Sequence, residues 1–387
     1  MKFVLVSEYF YPTGKGGTEK YVYQQAKQLI EAGHDVTVIT VSENGNTAFK
    51  YDEIEIRTIT HEQSGDKQII SGEKPSFNIT EFERLLKELN PEVVHFHTLT
   101  PSFSIFHLEL AKQLNCKVLF TAHTPGITCI RGDLMRYGQF ACDGKVEKQK
   151  CLACHLNQKG VHQLLSAATA KLISGFGYPI RLSQVVTRKK QTLHKLNDLC
   201  DTVYLFTNWQ EKIFIKNGFN TSKLVLTNQM EINIKSDVKK TLNTGKLKIG
   251  FAGRIVKEKG LHVLLKALQN TKNQNIELYI AGITTSEKDN YFTQLKQATA
   301  NTKNVFWQFN LNEEELTRFY HTIDVLCIPS IWYETGPYVL YEALQNNIPV
   351  IANDLGDMQI WKNKGYNIKL YQNLNGLEKT LNHYYGD

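Results

Sequence analysis

The chain has 387 residues, a length that suggests two domains, each large enough for its own core. Hydrophobic residues at 42% and charged residues at 21% describe an ordinary globular composition and argue against disorder. The formal charge of +7 is unevenly placed: residues 111–200 hold 14 Lys and Arg against 4 Asp and Glu, residues 1–110 are net acidic, and residues 201–387 are nearly balanced, so no nucleic-acid partner is expected.

The chain begins on an apolar run, Phe3–Ser7, that is too short for a signal segment and is closed by Glu8. Short β-branched runs then alternate with longer amphipathic stretches. Strands are expected at Phe3–Ser7, Val36–Val41, Val93–Phe96, Val118–Thr121 and Thr202–Phe206, then at Leu247–Ala252, Glu277–Ala281, Asp324–Ile328 and Pro349–Ala352. Several are continuous apolar runs, as parallel strands buried on both faces require. Helical periodicity falls between them, at Thr18–Glu31, Ile79–Leu89, Glu313–His321 and Pro337–Gln345. Strand–helix alternation at this spacing predicts βαβ units in an open α/β sheet.

The pattern runs twice, from Lys2 and again from Leu247. The polar stretch Ile232–Lys246 reads as the linker, giving a first domain over 1–231 and a second over 247–387. Both are expected to be doubly wound, Rossmann-like domains facing a central cleft at the carboxyl ends of their strands. One segment interrupts the alternation. Residues 122–160 are rich in Cys, Gly and basic side chains and lack periodicity, and a loop that long in a domain is usually functional or stapled. Beyond it, Val161–Lys195 reads as helical, with Arg188-Lys189-Lys190 on a polar face.

Candidate ligand-binding residues stand at the ends of these strands. After the first strand, Gly16 and Gly17 in Tyr11–Glu19 allow close backbone approach to a ligand, without the G-x-G-x-x-G spacing of a dinucleotide site. His123 follows the strand Val118–Thr121 and is placed to face the cleft, whereas His95 and His97 read as structural. Arg254 closes the strand Leu247–Ala252 and Lys259 opens the next helix, two cations at one strand–loop–helix junction. Further on, Glu334 and Glu342 flank Gly336-Pro337-Tyr338-Val339. Pro337 fits the first helical position, so the amides of Tyr338 and Val339 suit a phosphate, and the carboxylates suit sugar hydroxyls.

In this order, Gly16-Gly17-x-Glu19, His123, Arg254…Lys259 and Glu334…Glu342 make the chain similar to the retaining glycosyltransferases of family four, which have the GT-B fold. The resemblance spans essentially the whole length. It implies transfer of a sugar from a nucleotide-diphosphate donor to an acceptor hydroxyl, in cell-surface polysaccharide or glycoconjugate assembly. It implies that Arg254, Lys259 and the amides beside Gly336 hold the donor diphosphate, and that Glu342 holds the ribose. Glu334 would contact the donor sugar and His123 the reacting ring, with Gly16 and Gly17 approaching from the first domain. Transfer would be front-face, the departing phosphate oxygen taking the acceptor's proton, so no separate base is assigned. The family usually has Gly three residues after the first Glu; this chain has Pro337 there, with the glycine one place earlier. It contains no Asp-x-Asp pair, and no catalytic metal is expected. The rival reading is a catalytically silent GT-B scaffold whose Cys-rich insert serves as an interaction module.

Cys129, Cys142, Cys151 and Cys154 form C-x12-C-x8-C-x2-C. The last pair suits two thiolates sharing one ion from a tight turn, and four thiolates suit a tetrahedral structural zinc. Four free thiols or a redox pair are the alternatives, with His155 and His162 as substitute ligands. The odd count of seven cysteines and the lack of any long apolar run point to a cytoplasmic protein. The basic stretch adds an expected peripheral contact, through residues 161–195, with the inner face of the membrane and a lipid-linked glycan acceptor.

Overall fold

Runs of Val, Leu and Ile that can be satisfied only by burial on both faces form the middle of two sheets. In the computed structural model, residues 1–387 are described except 15, 176–180, 230–244, 272–274, 285–289 and 385–387. The chain divides into two compact units, Met1–Gln229 and Met230–Asp387. Of the expected linker, residues 232–244 lie outside the described residues; at its end Lys246 Nζ pairs with Glu277 Oε1 at 3.0 Å.

The strands of the first unit are β1 (Lys2–Val6), β2 (Asp35–Ser42), β3 (Ala48–Tyr51), β4 (Ile54–Thr60), β5 (Val93–Phe96), β6 (Lys117–Thr121), β7 (Met135–Arg136), β8 (Phe140–Ala141), β9 (Thr202–Leu205) and β10 (Leu224–Leu226). Eight of them form one sheet in the order β10-β9-β6-β5-β1-β2-β4-β3, and only β3 runs antiparallel to its neighbour. Phe3 pairs with Val36 on one side and Val93 on the other, so β1 is central and Val4, Leu5 and Val6 are fully buried. The Gly17–Glu31 helix lays Val22 and Ala26 on one face of this sheet, over Leu5, Val38 and Ile56. The Ile79–Leu89 helix buries Phe82, Leu85 and Leu86, an i, i+3, i+4 stripe, against Val4, Val6 and Phe96 on the other. It stops at Asn90, whose left-handed φ of 46° breaks the helix.

The segment between β6 and β9 is more ordered than its lack of periodicity predicts. It holds a 3₁₀ turn at Pro125–Ile127, the two-stranded β7–β8 hairpin and a helix over Lys148–Gln158. Cys151 and Cys154 therefore sit one turn apart on a helix, not in a tight turn. That helix buries Leu152, Ala153 and Leu156, which supply the apolar face the sequence pattern concealed. Two further helices follow, Gln163–Gly175 and Arg181–Leu199. The basic triplet does not form one solvated face. Lys189 is partly buried and donates to the carbonyls of Gly126 and Ile127 at 2.9 and 3.3 Å, and Arg188 pairs with Glu73 at 2.7 Å. Among the described residues no helix is long and apolar enough to cross a membrane.

The second unit contains β11 (Leu247–Arg254), β12 (Ile276–Ile283), β13 (Val305–Phe309), β14 (Val325–Ile328), β15 (Val350–Asn353) and β16 (Ile368–Tyr371). They form a parallel sheet in the order β13-β12-β11-β14-β15-β16. Alternate residues of β14 feed separate cores, Val325 and Cys327 one and Leu326 and Ile328 the other, so both faces are covered. Strand order reverses between β1 and β5 in the first sheet and between β11 and β14 in the second. In open α/β sheets such switch points create ligand crevices at the carboxyl ends of the strands.

Candidate active site

At the first switch point, Ser7 and Glu8 follow β1, His97 follows β5 and His123 follows β6. All four line a cavity of about 260 Å³, with Thr100 and Glu19 among the other walls. His97 Nδ1 lies 3.1 Å from His123 Nε2, and the Tyr21 and Phe206 rings pack against His123 at 5.1 and 5.2 Å. Two residues deeper along each strand, His95 Nε2 meets Thr121 Oγ1 at 2.8 Å. Burial lowers the His123 and His95 pKa values to about 3 and holds His97 well below its ordinary value. The trio is therefore neutral, and it acts through hydrogen bonds and ring surface rather than charge. His97, read from the sequence as structural, belongs to the cavity wall and to His123.

Glu8, which in the sequence merely ends an apolar run, also lines this cavity. Thr100 Oγ1 donates to its carboxylate, and His61 Nε2 approaches at 3.2 Å. Its position directly after β1 is the signal that would have found it. Gly16 caps the Gly17–Glu31 helix with ordinary extended backbone. A Cβ there would stand 2.4 Å from Glu19 Oε2, so the space this glycine opens is filled by the Glu19 carboxylate. Gly17 is the first residue of that helix.

At the second switch point, β11 ends on Arg254, which is exposed and has no ion-pair partner among the described residues. Lys259 does not open a helix. It closes a 3₁₀ turn, Lys257–Lys259, and the Leu261–Asn270 helix starts after Gly260. Gly260 has φ 73°, and a Cβ would fall 1.9 Å from the Pro329 carbonyl oxygen, so only glycine fits. Ile331 N donates to Glu258 O at 2.9 Å, which locks the β11 and β14 loops together.

That lock places Lys259 Nζ 2.8 and 3.0 Å from the two Glu334 carboxylate oxygens. Ser330 Oγ donates to the same carboxylate at 2.5 Å. Burial pushes the Glu334 pKa up, but the Lys259 charge and the Lys259 and Ser330 hydrogen bonds outweigh it, and the net shift is downward. Gly336 turns the chain with φ 89°. Pro337 is the cap, not the first helical residue, of the Tyr338–Gln345 helix. The first backbone bond of that turn runs from Leu340 N to Pro337 O, so the Tyr338 and Val339 amides precede it. Glu342, a turn inside the helix, accepts from Tyr320 OH at 2.8 Å. Ser330 and Tyr320 were not anticipated. Ser330, like Glu8, is legible only as a residue just past a strand's carboxyl end.

The four insert cysteines are unpaired thiols and line one small cavity. His155 and His162 do not line it.

Two family descriptions match the chain: Glycosyltransferase Family 4 over residues 15–142 and Glycosyl transferases group 1 over residues 233–360. A protein from the cps region of Klebsiella pneumoniae is 23% identical over 92% of this chain and 86% of its own length. An uncharacterized glycosyltransferase of Methanocaldococcus jannaschii is 24% identical over 96% of this chain and 85% of its own. Among solved structures, Anabaena HepE in complex with UDP and glucose superposes with a TM-score of 0.66 at 13% identity, covering 100% of this chain and 90% of that one. Sucrose-phosphate synthase from Thermosynechococcus elongatus gives 0.64 at 16% identity, with the same coverage. The fold is GT-B, built from two Rossmann-like domains. The chain is a glycosyltransferase.

Proposed function

We propose that this glycosyltransferase moves a hexose from a nucleotide-diphosphate sugar to an acceptor hydroxyl with retention of configuration. Its place would be in cell-surface polysaccharide or glycoconjugate assembly. One observation carries the donor half of this reading. Lys259, Glu334 and the start of the Tyr338–Gln345 helix cluster beyond the carboxyl ends of β11 and β14, with the exposed Arg254 closing β11. A cation pair and helix amides suit a diphosphate, and a carboxylate beside them suits sugar hydroxyls. The relative in a cps region and the solved neighbour holding UDP and glucose support the same reading.

In this mechanism Arg254, Lys259 and the amides of Tyr338 and Val339 bind the diphosphate and stabilise charge as it leaves. Gly336 permits the turn that aims those amides. Glu334 orients the donor sugar and Glu342 the ribose. Neutral His123, held by His97, offers hydrogen bonds beside the reacting ring. The leaving phosphate oxygen takes the acceptor's proton. The first-unit cavity around Glu8 and His123 receives the acceptor.

A lipid-linked acceptor accounts for a further feature. The Gln163–Gly175 helix exposes Leu164, Leu165 and Leu172, each more than 60% accessible, within the basic stretch 111–200. Such a face suits peripheral contact with an anionic inner membrane surface. The expected contact spans 161–195, of which 176–180 lie outside the described residues.

The test is incubation of the purified chain with a panel of nucleotide sugars and glycan acceptors, reading nucleoside diphosphate release and product configuration by NMR. Acceptor-dependent release with retained configuration is expected. An inverted product would refute retention, and no release from any donor would favour the silent scaffold. Flotation with anionic vesicles tests the membrane contact, which is wrong if Leu164→Glu and Leu165→Glu leave binding unchanged.

A further inference from the structure

We propose that Cys129, Cys142, Cys151 and Cys154 hold one zinc ion, and that this ion fixes the wall of the first-unit cavity. The four residues come from three places in the fold. Cys129 follows the Pro125–Ile127 turn, Cys142 follows β8, and Cys151 and Cys154 occupy successive turns of the Lys148–Gln158 helix. All four nevertheless line the same cavity of about 20 Å³. The chain has three other cysteines, Cys116, Cys200 and Cys327, and each is buried in a hydrophobic core instead.

Two backbone N–H groups point at the sulfurs. Tyr137 N donates to Cys154 Sγ at 3.3 Å and Glu147 N to Cys151 Sγ at 3.4 Å. Backbone N–H groups aimed at sulfur stabilise the negative charge that metal-bound thiolates carry. The cavity is also lined by Arg131, Arg136, Lys145 and Lys150, of which Arg131 pairs with Asp133, Lys145 with Glu147 and Lys150 with Asp143. Among the described residues, no three His, Cys, Asp or Glu side chains already close on a metal-sized point. The thiols ring a cavity, and bonds of about 2.3 Å to zinc would draw them inward.

The architecture needs such a tie. The β7–β8 hairpin has two residues per strand and an exposed Phe140, too little to hold itself together. The Lys148–Gln158 helix has an apolar face in the core, while the turn and the hairpin reach it through the single side chains Ile127 and Tyr137. One ion would bind hairpin, helix and the turn after β6 into a single body. That turn is shared. Thr128 lines the thiol cavity, and its neighbour Ile127 lines the cavity of His123 and Glu8. The consequence for that wall rests on the acceptor reading above, whereas the metal itself does not.

The test is elemental analysis of tag-free protein purified under reducing conditions and offered zinc chloride before desalting. One zinc per chain is expected, retained in Cys116→Ser and lost in Cys142→Ser and Cys154→Ser. Cobalt in its place should give sulfur-to-cobalt charge-transfer bands and tetrahedral d–d bands. Alkylation covers the case in which a variant fails to fold: the four thiols of the wild-type protein should be protected until a chelator is added, and the chelator should lower Tm. Folded, reduced protein that takes up no zinc, native disulfides among the four cysteines, or full zinc content in a folded Cys154→Ser variant would each overturn the proposal, whatever the outcome of the transferase assays.

Discussion

Lys259 donates to both carboxylate oxygens of Glu334 across 75 residues of chain, and the two side chains are only 18% and 9% exposed. The pair joins the loop after β11 to the loop after β14, so a residue read as a donor ligand is also a structural tie. Removing one member strands a buried charge, and Lys259→Ala should lose about 3 kcal/mol of stability along with transfer. Glu334→Gln, which keeps a hydrogen-bond acceptor for Lys259, should be milder in urea unfolding and still poor in turnover. The folded-state pKa of Glu334 is lowered, so its contribution is complete above the ordinary carboxyl value of 4.5 and is lost as pH falls through the folded value. Equal stability of Lys259→Ala and wild type near pH 7 would refute the tie.

Arg254 stands in contrast. It is exposed at the end of β11 with no ion-pair partner among the described residues, so its removal should leave the fold alone. Arg254→Ala is expected to unfold within about 0.5 kcal/mol of wild type. Its kcat should fall about 100-fold or more if the guanidinium stabilises the leaving diphosphate. Arg254→Lys should restore only part, because an ammonium cannot make the two parallel bonds of a guanidinium. Single-turnover kinetics beside a urea curve separates the two effects, and unchanged turnover in Arg254→Ala would remove this residue from the mechanism.

What the sequence disclosed follows from burial. The central strands β1, β5, β6, β11 and β14 are mostly apolar, and their expected bounds agree with the observed ones to within two residues. Of the strands not expected from the sequence, β4 lies inside its sheet, whereas β3, β10, β13 and β16 are the outermost strands of the two main sheets. An edge strand pairs on one side and needs little two-faced burial, and Ala48–Tyr51 is interrupted by Lys50 and Ile368–Tyr371 by Lys369. The grouping of Glu334, Gly336 and Glu342 was legible because the three are close in sequence. The His97–His123 contact was not, since it depends on β5 lying beside β6. Lys189 misled because a basic triplet looks the same whether its middle member faces water or carbonyls.

The buried histidines make the first unit sensitive to acid. His95, His107 and His123 have pKa values of about 3, and His97 also lies well below 6.5, each chiefly through burial. A depressed histidine is neutral in the fold and takes up a proton on unfolding once pH drops below 6.5. Stability is therefore complete above 6.5 and declines as pH falls toward 3, by about 1.4 kcal/mol per unit for each histidine. Urea midpoints measured at about pH 7.5 and about pH 5.5 should differ strongly. His95→Gln, which keeps a polar partner for Thr121, should reduce the pH slope by about one proton. A midpoint flat over this range would mean that these rings charge within the fold.

Lys189 provides the last prediction. Its ammonium donates to the Gly126 and Ile127 carbonyls, and burial lowers its pKa. The two carbonyls belong to the 3₁₀ turn that follows His123, so a cation on the Arg181–Leu199 helix holds the turn beside the cavity. Lys189→Met keeps the aliphatic stem but leaves both acceptors without that donor, a loss of about 1–3 kcal/mol. Lys190→Ala, at the exposed neighbour, should change stability by less than about 0.5 kcal/mol. Hydrogen exchange should also quicken over residues 125–128 in Lys189→Met alone, because the turn would lose its anchor while the surrounding strands keep theirs. Matching stability and exchange in the two variants would return Lys189 to the solvated face that its sequence context suggests.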